Sequence, residues 1–306
     1  MENELNQVLK GLALNRIPGW NFPGNFLQAS FEAVDDKSAT LTVDPGPHCT
    51  DTHGHLALGP LCVLLDIGMG GVMRGQVGPD TRMATVSMSL QLTGAPARGR
   101  ITSAGSFDGF AQRASGRLGL MRVELRAGDG ALVGTGSGTF VALGNRAGTA
   151  PLPMRKRGVD PEVAPLATSE LNEQERDVYA RATRAMQSGP GAFIDRFWGL
   201  VPQAVEGGAT LEFANGLHVG NRVGHTQGGI TFAIAGTTAV GALGDEWRLV
   251  GISAWYVSPG TGPALHAKAT IVHSGRLTAV VRTTIVDLEG RVVLEAMTNH
   301  ARKGQG

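Results

Sequence analysis

The sequence repeats a series of short motifs in the same order, and no other feature constrains the fold as strongly. A Gly-His pair with a further glycine four residues after the histidine occurs twice, 170 residues apart (Gly54, His55 and Gly59; Gly224, His225 and Gly229). The motif Ser-Gly-Arg-Leu at 115–118 returns at 274–277, and the Asp-Gly turn at 129–130 returns as Glu-Gly at 289–290. Self-similarity in a constant order is typical of repeated structural units. The chain is therefore predicted to contain two copies of one domain.

Each copy predicts one long apolar helix followed by a run of strands. The helices are predicted at 60–74 and 229–243 and are apolar on all sides, so other elements must cover them. The strands of the first copy are predicted at 26–34, 38–43, 84–92, 100–108, 118–126 and 132–143. Those of the second copy are predicted at 210–214, 249–257, 264–273, 278–287 and 291–299. This order predicts an α+β fold in which antiparallel strands wrap around each helix.

The stretch between the two copies differs from both in composition. Residues 144–167 contain four prolines and a basic patch at 155–157, which is typical of an extended linker. Residues 169–186 begin with acidic and end with basic side chains, as the helix dipole favours, and predict a covering helix. The predicted division is a first domain over 1–145, a linker with its covering helix over 146–188, and a second domain over 189–306.

Composition argues against several classes of protein. Glycine makes up 45 of 306 residues, about twice the usual ~7%, yet no Gly-X-Y period runs through the chain, so it is not collagen-like. A hydrophobic share of 42% and a net charge of +1 argue against disorder and against nucleic-acid binding. The start of the chain does not resemble a signal peptide, and the most apolar runs, 60–73 and 230–243, are shorter than the ~20 residues that span a bilayer. A cytoplasmic protein without membrane or nucleic-acid partners is expected.

Asp66 is the strongest single indication of chemistry. It is the one charged residue between Gly59 and Arg74, in an otherwise apolar helix. Burying an unpaired carboxylate is unfavourable, and such groups often have a raised pKa and a function. The alternative is that Asp66 lies on a solvated face or caps a neighbouring loop. The corresponding residue of the second copy is Gly236, so the duplication keeps this acid in one copy only.

The loop that precedes each helix is the second indication. Gln227, Gly228 and Gly229 open the second helix. Free N–H groups at a helix N-terminus can stabilise an oxyanion, and glycine allows a substrate to approach the backbone. The first copy has Ala57 and Leu58 before its glycine, and the leucine would obstruct that approach. The alternative is that the Gly-Gly pair forms an ordinary turn.

A metal site is not predicted. Five residues of metal-ligating type lie close together in the first loop (His48, Cys49, Asp51, His53 and His55). Their spacing matches no zinc pattern, and no matching ligand set occurs elsewhere in the chain. His55 and His225 are instead expected to brace their loops by hydrogen bonds.

Together these motifs resemble those of the hotdog fold, and most closely those of the phenylacetyl-CoA-type acyl-CoA thioesterases. The family pattern runs from Asn-x-x-Gly through a His-Gly-Gly loop into an apolar helix that carries an Asp. A Thr-Val strand, a Gly-Arg hairpin and an Asp-x-x-Gly turn follow. The first copy matches at Gly54, Gly59, Leu64, Asp66, Thr85, Val86, Gly116, Arg117, Asp129 and Gly130. The second copy matches at Asn221, Gly224, Gly228, Gly229, Gly275, Arg276, Glu289 and Gly290. The chain departs from the family at Gln227, where the family has histidine.

The resemblance implies two hotdog domains in one chain, each an antiparallel sheet around a central apolar helix, which together form a pseudo-dimer. In the family the active site lies at the interface of two hotdogs, one supplying the Asp and the other the backbone N–H and the Asn. The first copy's acid would then face four residues of the second copy (Asn221, Gln227, Gly228 and Gly229). The mirror-image site would pair Asp51, Ala57 and Leu58 with Gly236, and it would lack the helix acid because Gly236 takes the position of Asp66. One complete composite site is expected.

The resemblance further implies hydrolysis of an acyl-CoA thioester to a free acid and CoA, without a cofactor. Asp66 would activate water or attack the carbonyl, and the Gly228 N–H would stabilise the oxyanion. Asn221 would fix the loop or the water, and Thr85 would hold the water. Three further residues are expected to bind substrate, the arginine by contacting CoA phosphates (Gln227, Gly229 and Arg276).

Two other functions stay open at this point. One is a hotdog dehydratase or hydratase that acts on acyl thioesters. The other is a non-catalytic protein that binds acyl-CoA. Two such chains are also expected to pair through their sheets, which would give a homodimer of pseudo-dimers.

Overall fold

The computed structural model describes residues 2–17, 21–112, 116–144, 154, 156, 162–187, 189 and 191–304. The helices in these residues are α1 (Glu2–Asn15), α2 (Phe22–Phe26), α3 (Leu58–Val77), α4 (Glu173–Gln187), α5 (Phe193–Trp198) and α6 (Gly228–Leu243). The strands of the first half are β1 (Ser30–Val34), β2 (Ser38–Val43), β3 (Arg82–Leu92), β4 (Ile101–Phe110), β5 (Leu118–Arg126) and β6 (Leu132–Leu143). Those of the second half are β7 (Gln203–Val205), β8 (Gly208–Ala214), β9 (Trp247–Tyr256), β10 (Ala264–Ser274), β11 (Thr278–Asp287) and β12 (Val292–Arg302). Most of the predicted linker, including Arg155 and Arg157, lies outside the described residues.

The described strands form one antiparallel sheet in the order β1-β2-β4-β5-β6-β3-β9-β12-β11-β10-β8-β7. The order of the first six strands is repeated in reverse by the last six, so each strand has a counterpart at the same distance from the middle. The two halves join where β3 pairs with β9. The predicted α+β composition is confirmed.

The register of the sheet shows which residues of the two halves correspond to each other. The pairing of β3 with β6 skips Val86, and the pairing of β12 with β9 skips Val250, 164 residues later. With the same offset, Ser89 corresponds to Ser253, and these two residues pair directly with each other. The bulges therefore align β3 with β9 residue by residue, and this alignment identifies which positions of the two halves correspond.

The two long helices α3 and α6 contact each other, and each packs against the strands of its own half. A β-carbon at Gly229 would lie 2.5 Å from the carbonyl oxygen of Cys62, so the close approach of the two helices requires glycine there. By length and composition α3 could cross a membrane, but 72% of its apolar window is buried inside the protein. Burial of most of their surface explains why both helices are predominantly apolar.

A pair of shorter helices accompanies each half. The phenyl ring of Phe26 in α2 contacts the imidazole of His48, and the ring of Phe197 in α5 contacts that of His218, 170 residues further along the chain. The order of α1 and α2 is thus repeated by α4 and α5, and α4 is the predicted covering helix. The first predicted strand begins late, at Ser30, because Asn21 caps a helical turn that the strand pattern did not reveal.

Candidate active site

Asp66 lies in α3 and faces the start of α6 in the other half of the chain. Its side chain is buried, with a relative exposure of 8% for the residue. The Gln227 side-chain Nε2 donates to its Oδ2 at 2.6 Å, and the Thr85 hydroxyl donates to its Oδ1 at 3.1 Å. The Gly229 backbone N–H also bonds to the carboxylate. The carboxylate thus joins α3, β3 and the N-terminus of α6.

The orientation of Gln227 is fixed by the helix that follows it. Gln227 is the N-cap of α6, and its Oε1 accepts from the Ile230 N–H at 2.9 Å. Because the amide oxygen is used in this cap, the amide NH₂ group must face Asp66. Glutamine therefore holds the carboxylate through a donor that does not titrate, at the position where the resembling family has histidine.

The pKa of Asp66 is raised from its ordinary value to about 6. Burial is the main cause, since a low-dielectric surrounding disfavours the charged form. The hydrogen bonds from Thr85, Gly229 and Gln227 oppose this effect because they stabilise the carboxylate. Near neutral pH the group is therefore mainly ionised and still basic enough to accept a proton, which suits a general base.

Gly228 lies directly against this carboxylate. A β-carbon there would lie 2.9 Å from Asp66 Oδ1 and 3.0 Å from Thr85 Oγ1. Gly228 is the first residue of α6, so no preceding turn of the helix accepts its N–H. The Tyr256 hydroxyl donates to the Gly228 carbonyl oxygen at 2.7 Å and fixes this peptide. The helix N-terminus therefore presents a fixed backbone beside Asp66.

Asn221 organises the loop before α6. Its Oδ1 accepts from the N–H groups of Val223 at 3.0 Å and His225 at 3.1 Å. In the first half, Asp51 Oδ1 accepts in the same way from His53 and His55. Of the two roles predicted for Asn221, the geometry supports bracing of the loop. The histidines contribute backbone N–H groups to this arrangement.

The predicted site lies in a cavity of about 540 Å³. Five of the residues predicted from the sequence line it: Asp66, Thr85, Asn221, Gln227 and Gly228. Gly229 is buried behind them at the helix crossing. Arg276 is exposed in the turn between β10 and β11 and is not among the described residues that line the cavity. The structure thus brings together all the predicted site residues except Arg276.

Several residues of the cavity were not predicted from the sequence. Tyr256 and three arginines belong to this group (Arg74, Arg82 and Arg222), as do the apolar residues Phe31, Met83 and Phe140. One sequence signal was available, because Asp66, Gly70 and Arg74 follow each other at intervals of four and therefore share one face of α3. The others come from separate strands and loops, and only the fold brings them together.

The mirror-image position has the same backbone and different side chains. Gly236 corresponds to Asp66, and a β-carbon there would lie 2.7 Å from Ile252 Cδ1 and 3.4 Å from Leu58 Cδ2. The strand alignment assigns Leu249 to the position of Thr85. Leu58 lies beside Gly236 just as Gly228 lies beside Asp66. The mirror-image position therefore has no acid and no hydroxyl, and leucine replaces the glycine that begins α6 in the first site.

The cluster of potential metal ligands does not form a site. No group of three His, Cys, Asp or Glu side chains suited to a metal ion occurs in the described residues. His48 is half-buried and packs against the ring of Phe26, and this burial lowers its pKa to about 4. Cys49 and Cys62 are free and buried, and burial raises the pKa of each thiol. These groups belong to the core.

Comparison with known proteins gives matches in structure and not in sequence. No protein-family model and no curated protein matches the sequence. A Lactobacillus plantarum protein provisionally assigned as an oleoyl thioesterase is 10% identical with a TM-score of 0.54, over 88% of this chain and 97% of its own. A Novosphingobium aromaticivorans protein with a provisional thioesterase assignment is 17% identical with a TM-score of 0.52, over 90% and 99%.

A third solved structure carries the name of the fold. It is a conserved protein of unknown function with a hot dog fold from Alicyclobacillus acidocaldarius, 8% identical with a TM-score of 0.54. The match covers 90% of this chain and 97% of that one. The likeness extends over both halves of the chain, so the two repeats described above are included in it. At these identities the likeness concerns the fold: the chain has the hotdog fold.

Proposed function

We propose that the chain hydrolyses acyl-CoA thioesters to a free acid and CoA at one composite site. In this proposal the two hotdog repeats form a pseudo-dimer, in which each half of the sheet wraps around a central helix, and the site lies where the two repeats meet. The observation that carries the proposal is the hydrogen bond between Asp66 of the first repeat and Gln227 of the second. It supports the proposal because a carboxylate of near-neutral pKa lies beside the start of a helix, in a cavity that can hold a small ligand.

The thioester carbonyl oxygen accepts from the Gly228 N–H in this proposal. As the carbonyl carbon becomes tetrahedral, its oxygen gains negative charge, and the positive end of α6 stabilises that charge. One such donor typically contributes about 3–4 kcal/mol to the stability of the transition state. The glycine is required because a β-carbon there would collide with Asp66 and Thr85, so only glycine lets the start of α6 lie this close to the carboxylate.

Asp66 acts on the other side of the carbonyl. As a general base it takes a proton from water while the water oxygen forms a bond to the carbonyl carbon. The carbon–sulfur bond then breaks, and the proton passes from Asp66 to the sulfur of the departing CoA. In the alternative, a carboxylate oxygen attacks the carbon directly and the carbon–sulfur bond breaks, so that CoA leaves as its thiolate and an anhydride forms. Water then hydrolyses the anhydride, which releases the acid, regenerates the carboxylate and supplies the proton that the thiolate takes up. Both routes need the ionised carboxylate, and both give the same products.

The remaining residues position these groups. The Thr85 hydroxyl donates to Asp66, and its lone pairs are free to accept from the water. Gln227 and Gly229 hold the carboxylate, and Asn221 braces the loop that precedes α6. The provisional thioesterase assignments of the solved structures agree with a reaction of this class. The proposal includes a cytoplasmic protein that needs no cofactor.

The test compares the wild type with Asp66→Asn on acetyl-, hexanoyl-, palmitoyl- and phenylacetyl-CoA, with the release of free CoA thiol as the readout. The substitution keeps the shape of the side chain and removes the base. We expect kcat to fall by about 10²–10⁴-fold on any substrate that the wild type hydrolyses. The panel also reports which acyl group the cavity prefers.

The matched control is Asp129→Asn, an exposed residue of the β5–β6 turn, which should keep wild-type turnover. A folded Asp66→Asn protein with unchanged turnover would contradict the composite site. Binding of every acyl-CoA without turnover by the wild type would favour the non-catalytic function. Hydration or dehydration of an enoyl or hydroxyacyl thioester without release of CoA would favour the other alternative.

A further inference from the structure

Three arginine side chains from separate elements line the same cavity as Asp66. Arg74 comes from the end of α3, Arg82 from the start of β3, and Arg222 from the loop that precedes α6. In the part of the chain that the structure describes, none of the ion pairs joins one of these arginines to a carboxylate. Asp66 is the one acidic residue among the described residues of the lining. The cavity therefore carries an excess of positive charge in a chain whose net charge is +1.

The arginines lie at a distance from the acid. Asp66, Gly70 and Arg74 share one face of α3, and eight residues of helix separate the first from the last, which is about 12 Å. Arg82 lies three residues before Thr85 in β3, which is about 10 Å. Arg74 and Arg82 therefore belong to the far part of the cavity, and Arg222 lies close enough to Arg74 for its charge to act on the pKa of Arg74. They do not stabilise charge at the thioester itself.

The arrangement is unfavourable without a ligand. Burial, and to a smaller extent the positive charge of Arg222, together lower the pKa of Arg74 to about 10. The Arg74 guanidinium donates to the carbonyl oxygens of Pro79 and Thr81, which hold it in place without neutralising it. Cations that are brought together and partly desolvated repel each other, and a bound anion relieves that repulsion.

The second half of the chain shows that the fold does not need these arginines. The residue 170 positions after Arg74 is Gly244, and the residue 170 positions before Arg222 is Thr52. The strand alignment, with its offset of 164, assigns Glu246 to the position of Arg82. All three cations are therefore absent from the half-site that also lacks the acid. The arginines and Asp66 occur together.

We infer that Arg74, Arg82 and Arg222 form an anion-binding subsite that holds a negatively charged group of the ligand, while Asp66 acts on a thioester roughly 10–15 Å away. The inference rests on the proposed function, and it names the ligand as a thioester with an anionic group beyond an uncharged segment. The open space over Gly70, where a β-carbon would meet nothing closer than Phe140 at 3.8 Å, would take that segment. The anion is either a phosphate of CoA or a carboxylate at the far end of the acyl group.

The test measures KM and kcat for Arg82→Gln and Arg222→Gln, which keep the length and polarity of the side chains. The control is Arg282→Gln, an exposed arginine of β11 far from the cavity lining. The substrates are hexanoyl-CoA, hexanoyl-pantetheine, which lacks the phosphates, and the CoA thioester of a six-carbon dicarboxylic acid. Each lost charge-assisted hydrogen bond should raise KM by about tenfold or more, with little change in kcat.

The substrates separate the two sources of the anion. If the arginines hold phosphates, the variants lose affinity for both CoA thioesters, and KM for hexanoyl-pantetheine stays at its wild-type value. If they hold an acyl carboxylate, the variants lose the wild-type preference for the dicarboxylic thioester over hexanoyl-CoA. Variants that behave like Arg282→Gln on every substrate would overturn the inference.

Calorimetry measures the affinity of the protein for CoA and for adipate without any hydrolysis, so the inference can be tested independently of the reaction. If the wild type hydrolyses no thioester, the proposed function fails while the subsite is still measured. A loss of CoA or adipate affinity in Arg82→Gln and Arg222→Gln, but not in Arg282→Gln, would then support the subsite. Absence of binding of either anion by the wild type would overturn it. Equal melting temperatures of the variants would show that the effect does not come from unfolding.

Discussion

The two half-sites of this chain share a backbone and differ in almost every polar side chain. In one, Asp66 lies between Thr85 and Gly228, and arginines line the far part of the cavity. In the other, Gly236 lies against Ile252 and Leu58, and Leu249 takes the position of Thr85. Helix, bulged strand and preceding loop are present in both halves. The fold is therefore maintained by apolar packing, and the chemistry depends on a few positions that the fold does not require.

This comparison separates structural from functional residues without any second protein. A group present in both halves, such as the loop bracing by Asp51 and Asn221, serves the fold. A side chain present in only one half has a functional role in that half, since the fold forms without it in the other. The residues that meet this second criterion are Asp66, Thr85, Gly228 and the three arginines. Substitutions at the half-site of Asp66, paired with matched substitutions outside it, test this criterion.

After Asp66→Asn, the substitution Gly228→Ala should cost the most activity. Its β-carbon would lie 2.9 Å from Asp66 Oδ1 and would push the carboxylate away from the Gly228 N–H, so we expect kcat/KM to fall by about 10²-fold or more. The matched substitution in the other half is Gly236→Ala, whose β-carbon meets the flexible end of Ile252. We expect Gly236→Ala to affect the melting temperature more than the turnover. Equal losses of activity in both variants would contradict a single working site.

The second prediction concerns stability and pH. The folded pKa of Asp66 is about 6, whereas an unfolded aspartate has a pKa of about 3.9. An acid with a raised folded pKa binds its proton more tightly in the folded state. Its contribution to stability is therefore complete below about pH 4 and is lost as the pH rises through about 6. Between these limits the loss is about 3 kcal/mol.

Asp66→Asn removes this titration. The free energy of unfolding of the variant, relative to the wild type, should therefore increase by about 3 kcal/mol between pH 4 and pH 8. Urea denaturation at several pH values measures the difference. Asp129→Asn in the exposed turn is the control and should show no such change. A difference between Asp66→Asn and wild type that does not depend on pH would show that the folded pKa is not raised.

The smallest effect is expected from Thr85→Val, which nearly conserves volume and removes the hydroxyl. The Thr85 hydrogen bond lowers the pKa of Asp66, so its loss should raise that pKa above about 6. We expect kcat/KM to fall by about tenfold and its pH profile to move to higher pH. Thr135→Val, on an exposed part of β6, is the control. An unchanged profile would show that the hydroxyl does not bond to the working form of Asp66.

The sequence predicted those parts of the site that depend on local patterns. Asp66 can be recognised from the sequence because it is the one acid in a predicted apolar helix. The repeat offset alone shows that the second copy has glycine, Gly236, at the corresponding position. The start of α6 was equally visible, because Gln227, Gly228 and Gly229 are adjacent. The duplication and the α+β fold class followed from periodicity. These are features in which neighbours along the chain are also neighbours in space.

The arginines show why the rest was not predicted. Arg74, Arg82 and Arg222 come from a helix end, a strand start and a loop in the other half, and only the completed sheet brings them together. Arg276 was predicted to bind substrate because its Gly-Arg motif matches the family, yet its turn lies away from the described cavity lining. A motif identifies a turn with confidence when it is repeated. It does not determine the direction in which that turn points across a twelve-stranded sheet.

The joining of the halves through β3 and β9 has a consequence for how such a site can change over time. In a dimer of identical chains, every substitution appears at both active sites, so neither can be lost without the other. Two copies on one polypeptide are inherited together but mutate separately. One site can then lose its acid while the other acquires cations. The repeat that has lost its acid stays covalently attached and still supplies its surface to the remaining site. Covalent fusion thus allows a symmetric architecture to become specialised on one side only.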